Sequence, residues 1–183
     1  MAATSDLTLV FHAVVLAITL VAACTDVWKG EIPNWLTLPV IVAAPIAHGV
    51  MSGGAGLLDS LIGLLVCSLV PLLIFYRQGM AGGDVKLFAA IGAVGGIYVG
   101  LEVQLLSLVA ASIYAIGQLA WNGKLLRSLT SSLFLGLNPV LPRRFRRTIP
   151  TELMHRIRLG AAILLGAIIV LASKHPSVWE ALS

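Results

Sequence analysis

Charge is what this sequence has least of. Only 11% of its 183 residues are Asp, Glu, Lys or Arg, whereas a soluble domain carries about a quarter. Apolar residues fill the gap, at 58% of the chain with a mean hydropathy of +0.99. They come in long blocks rather than in alternating faces, and an apolar block of about 18 residues or more reads as a membrane span. Composition therefore excludes an ordinary water-soluble domain.

Other shortages narrow the chemistry. There are two cysteines, Cys24 and Cys67, far apart and in apolar runs. They form no CxxC pair, so no zinc site or disulfide framework is suggested, and both read as small buried hydrophobes. The four histidines (His12, His48, His155 and His175) show no HExxH or clustered spacing. No metal and no cofactor is expected. The residues before the first apolar block, Met1 to Asp6, contain no Lys or Arg. Val21-Ala22-Ala23-Cys24 resembles a lipoprotein cleavage box, but a signal peptide needs a positive n-region. The block is read as a retained span. No internal repeat or low-complexity tract is evident.

The fold expected is all-α and polytopic, because lipid leaves open backbone groups unsatisfied and only helices close them within one segment. Six spans are expected: Leu7–Cys24, Trp35–Met51, Leu57–Tyr76, Val85–Gly100, Val103–Trp121 and Ile157–Ser173. The second, fourth and sixth are short for a bilayer and call for tilting or shelter by neighbours. Eleven of the twelve Lys and Arg then fall on one side, from Lys29 through Arg158, with Lys174 alone on the other. The positive-inside rule makes that side cytoplasmic and puts both termini outside. Trp28, Trp35, Tyr76 and Trp121 cluster at the same interface. The whole chain, 1–183, is read as one membrane-embedded domain.

One long connection remains, at about 122–156. Its first half, with Lys124, Leu125, Leu126, Arg127, Leu129, Leu133, Phe134 and Leu137, suits an amphipathic helix lying on the membrane. Its second half is the basic run Pro142-Arg143-Arg144-Phe145-Arg146-Arg147. Such a run suggests nucleic acid, but anionic lipid at the cytoplasmic surface explains it more simply, so lipid and not nucleic acid is the expected partner.

Carboxylates near lipid are expensive and need individual explanations. Asp6, Glu152 and Glu180 sit in polar termini or loops. Asp59 and Glu102 fall at outward span ends, where capping or solvation suffices, and Glu31 lies beside Lys29 in a short turn. Asp26 and Asp84 differ. They are 58 positions apart, yet the topology puts both at the cytoplasmic face at similar depth. Two carboxylates that meet near a water-accessible boundary can cleave a peptide bond, one activating water while the other serves the scissile carbonyl. Each also has a plain structural reading. Asp84 suits a helix N-terminus, and Asp26 marks where the first span leaves lipid. Gly79, Gly82 and Gly83 weigh against the plain reading, because they clear side chains from the approach to Asp84. Helix ends divide the roles: Asp84, at an N-terminal end, would be the base, and Asp26, at a C-terminal end, the acid.

At these residues the sequence resembles the type IV prepilin peptidases, membrane aspartyl proteases of the GxGD class. Asp26-Val27-Trp28-Lys29-Gly30-Glu31-Ile32-Pro33-Asn34-Trp35-Leu36-Thr37 is similar to the family's first motif, an Asp followed shortly by Ile-Pro-Asn. Gly79-Met80-Ala81-Gly82-Gly83-Asp84-Val85-Lys86-Leu87 is similar to the second. Ala81 stands where the pattern has its first glycine, and a left-handed φ there would cost alanine on the order of 1 kcal/mol. Gly160-Ala161-Ala162-Ile163 through Gly166 is loosely similar to the start of the last family helix, without its Pro-Tyr-Gly lead-in.

The resemblance implies Asp26 and Asp84 as the catalytic pair, with Gly82, Gly83, Lys86, Pro33 and Asn34 in substrate binding or motif support. It also implies a prepilin or pseudopilin leader peptide as substrate, cut at the cytoplasmic face of a bacterial inner membrane. The short length is similar to the compact form associated with tight-adherence (Flp-type) pili, and no methyltransferase region is expected. A small proton- or ion-coupled transporter using the same acids is the alternative. A membrane scaffold binding partners through the basic loop is a third reading.

Overall fold

The computed structural model describes residues 2–77, 79–121 and 159–174. They form four helices, α1 (Ala2–Lys29), α2 (Asn34–Tyr76), α3 (Gly82–Trp121) and α4 (Leu159–Lys174), and no strand occurs among the described residues. Three stretches, Leu7–Lys29, Asn34–Tyr76 and Gly82–Gln118, are long and apolar enough to cross a membrane. By contact, residues 1–110 with 158–183 form one compact unit and 111–157 another. Everything below concerns the first unit. The expected amphipathic helix at 124–137 and the basic run at 143–147 lie outside the described residues.

α2 and α3 are each two helices joined at a glycine. Gly53 has φ 68° and ψ −160°, and Gly96 has φ 72° and ψ −177°, a region open essentially to glycine alone. Eight residues of unbroken helix rise about 12 Å. Yet a Cβ built on Gly49 would lie 3.5 Å from Leu57 Cβ, and one on Gly100 would lie 2.9 Å from Gly92 Cα. Only a chain that doubles back brings such pairs together, so Gly53 and Gly96 are the tips of two helical hairpins.

The first reversal falls where a break between the second and third spans was expected. The second is a correction: it was expected near residues 101–102 and occurs at Gly96. A positive φ demands glycine, whereas Glu102 has another use. It forms an ion pair with Lys174 at 2.8 Å at the far end of α4. The first helix also runs further than expected, through Lys29 rather than ending at Cys24.

The helices pack through small residues, which let backbones approach where lipid supplies no hydrophobic drive. A Cβ on Gly63 would collide with the carbonyl of Gly92, and one on Gly92 with the carbonyl of Gly63. Breaking α3 at Gly96 leaves the preceding carbonyls without helical donors. Ser60 Oγ donates to Ala93 O at 2.6 Å, and His48 Nε2 lies 3.0 Å from Val94 O. The His48 ring stacks on Phe11, with centroids 3.9 Å apart. α1 buries Val15, Ile18, Thr19, Ala22 and Asp26 on one face, and α4 buries Gly160, Ile163, Gly166, Ala167 and Val170. α1 and α4 pack together, while Gly166 faces Val103 and Ser107 of α3.

Large apolar side chains are also abundant outside. Val42, Leu65 and Leu105 are each more than 60% exposed. A water-soluble monomer keeps such patches small, so an apolar exterior around an apolar core suits immersion in lipid. Cys67 is buried as expected, but Cys24 is exposed on the apolar flank of α1, and both are free thiols.

Candidate active site

Asp26 lies in the last turn of α1 and is 7% exposed. The helix stops just beyond it because Gly30 takes φ 70° and donates its N–H back to Asp26 O at 2.9 Å, a left-handed C-terminal cap. The chain then passes through Ile32 to Pro33, whose extended φ of −73° and ψ of 144° launch α2 at Asn34. Pro33 thus sets the entry to the helix, as its fixed φ allows.

Asp84 is the third residue of α3 and is also 7% exposed. Its Oδ2 accepts a hydrogen bond from Ala81 N at 3.3 Å, and Asp84 N donates to Ala81 O at 3.2 Å. This is half of a capping box, with the carboxylate reaching back to the residue before the helix. Capping and catalysis are therefore not rival readings of Asp84, because the cap fixes where the carboxylate points.

Two contacts tie these segments together. A Cβ on Gly83 would lie 3.0 Å from Ile32 Cβ and 3.2 Å from Ile32 O, so the space this glycine clears is filled by the first motif. Lys86 Nζ donates to Asn34 Oδ1 at 2.8 Å. The turn after Asp26 thereby packs on the residue before Asp84, and the two acids sit at the same end of the bundle. Gly82 has only ordinary contact room, 3.5 Å to the Phe75 ring. None of Gly79, Gly82 and Gly83 has a left-handed φ, so the motif glycines serve space rather than backbone conformation. Ala81 is exposed.

Sequence reasoning missed one participant. Gly160, in the first turn of α4, donates its N–H to Asp26 Oδ2 at 2.9 Å. Both acids therefore receive an N–H at a helix N-terminus, which narrows the asymmetry used to divide base from acid, although Asp26 still lies in the last turn of α1. The signal in the sequence was the loose similarity at Gly160-Ala161-Ala162, 134 positions away from Asp26.

A model of the type IV leader peptidase family matches residues 13–116, more than half of the chain and both aspartates. The chain belongs to the type IV leader peptidase family. A relative from Bacillus subtilis (strain 168), described as a prepilin leader peptidase/N-methyltransferase, is 32% identical over 108 residues. The aligned stretch is 57% of this chain and 43% of the relative, so the chain spans less than half the length of the relative it matches. No solved structure matches significantly. For a leader peptidase family member, a buried pair of acids joined by two motif contacts is the natural place to look for chemistry. Glu31 and Asp59, both exposed, share none of these contacts.

Proposed function

We propose that this protein is a multi-pass membrane aspartyl endopeptidase that removes the leader peptide of a prepilin or pseudopilin at the cytoplasmic face of a bacterial inner membrane. The observation that carries the proposal is the joining of the two motifs, through Ile32 with Gly83 and Asn34 with Lys86, in a chain of the leader peptidase family. Membership of that family counts against the transporter reading.

Asp26 and Asp84 act as a pair. One carboxylate takes a proton from water, and the resulting hydroxide attacks the scissile carbonyl carbon. The other, as a carboxylic acid, donates its proton to the carbonyl oxygen, giving a tetrahedral diol. The diol then collapses as the leaving nitrogen gains a proton and the C–N bond breaks. A leader with a free carboxylate and a mature pilin with a free amine result. Burial of both acids strengthens the electrostatic contrast between the two roles.

The sequence supports six spans with both termini outside, through the distribution of Lys and Arg. Aligning that end with the cytoplasm places a positively charged leader near Asp26 and Asp84. The basic run at 143–147 would hold anionic lipid at the cytoplasmic surface. The test is to incubate the purified protein, reconstituted in anionic vesicles, with a prepilin and to follow the leader by mass spectrometry. A leader fragment is expected. Intact substrate, together with proton or ion uptake by the vesicles, would favour the transporter.

A further inference from the structure

Asp26 already has one oxygen engaged before any substrate arrives, by a residue outside the stretch that matches the family model. Gly160 lies in the first turn of α4, where the N–H groups have no acceptor within their own helix. Its N–H points at Asp26 Oδ2 at 2.9 Å.

A second observation concerns the side chain that Gly160 lacks. A Cβ there would lie 2.9 Å from both Asp26 Cβ and Asp26 Oδ2, and 3.2 Å from Ala23 Cα. The first two separations are closer than real side chains come. Ala23 Cα is backbone and cannot give, so either the Asp26 side chain turns or α4 moves off α1, and both disturb the Gly160–Asp26 contact. Gly160 does not have a left-handed φ, so backbone conformation gives no reason for a glycine. Space beside the carboxylate does.

We propose that Gly160 is a positioning residue of the peptidase: its N–H fixes Asp26 Oδ2, and its missing side chain leaves the carboxylate its place. The other oxygen of Asp26 is then the one that meets water or the scissile carbonyl. Asp84 is held in a parallel way, by the N–H of Ala81, but from its own loop. Asp26 is held from a helix that joins the bundle last in sequence, so docking of α4 completes the site. The consequence for cleavage rests on the peptidase reading; the contact itself does not.

Two measurements test it. Gly160→Ala should lower kcat for prepilin cleavage on the order of 100-fold, as expected for a misaligned catalytic group, with KM unchanged. The neighbouring exposed position, in Ala161→Ser, should keep the wild-type rate. Separately, in protein labelled with 15N-glycine, Asp26→Ala should move the amide resonance of Gly160, and Asp84→Ala should leave it in place. A Gly160→Ala protein that cleaves at the wild-type rate would overturn the proposal. So would a Gly160 amide that ignores Asp26→Ala. If Gly160→Ala fails to insert, the amide measurement decides alone. If the wild type cleaves no prepilin, the peptidase reading falls, and the amide response still decides whether α4 holds Asp26.

Discussion

Lys86 Nζ and Asn34 Oδ1 are 2.8 Å apart across 52 positions of sequence. This bond joins the start of α2 to the start of α3, one turn beyond each motif's turn, and it lies on the same side as the packing of Ile32 on Gly83. It acts as a clasp on the relative placement of Asp26 and Asp84.

A clasp predicts coupling. At this exposed position the bond contributes about 1 kcal/mol, so Lys86→Met or Asn34→Ala should each lower kcat/KM several-fold. The double variant should be no worse than the poorer single one, and Asn34→Asp, which converts the bond to an ion pair, should keep activity. Additive losses in the double variant would show that the two side chains act separately.

The hairpin tips predict a difference in stability. Gly53 and Gly96 have similar φ, but a Cβ on Gly53 would meet open space while one on Gly96 would run into the Asp59 carboxylate. Gly53→Ala should cost about 1–3 kcal/mol from backbone strain alone. Gly96→Ala should cost more, and Asp59→Ala should recover part of the excess. Denaturant unfolding in detergent measures all three, and equal costs for the two glycines would contradict the account.

Much of this was legible in the sequence, and the reasons are physical. Asp26 and Asp84 stood out because an acid beside lipid is expensive and needs a purpose. The break near residue 53 falls in the gap between two expected spans, Trp35–Met51 and Leu57–Tyr76. The break at Gly96 does not, because a tight reversal needs one glycine with positive φ and no polar stretch. Glu102 drew attention instead, and its partner Lys174 lies 72 positions away, a pairing that only the fold discloses. Gly160 was hidden for the same reason. A backbone N–H leaves no mark on composition, and its role depends on α4 lying antiparallel to α1. That one contact weakens the division of acid and base drawn from helix ends.

Orientation is tested by labelling. In the proposed six-span topology eleven of the twelve Lys and Arg fall on one side, so single cysteines placed within 122–156, in a background lacking Cys24 and Cys67, should react with an impermeant thiol reagent only from the cytoplasmic side. Labelling from outside would invert the topology and move the paired acids to the wrong face for a leader peptide.

The central claim is that Asp26 and Asp84 form one catalytic unit. The direct measurement is prepilin cleavage by the wild type, Asp26→Asn, Asp84→Asn and the double variant, each purified and reconstituted at equal amounts. Groups acting as a unit are grossly non-additive. Each single substitution should abolish cleavage, the double should be no worse, and Glu31→Gln and Asp59→Asn should retain it. Cleavage at the wild-type rate by either Asp26→Asn or Asp84→Asn would contradict the account.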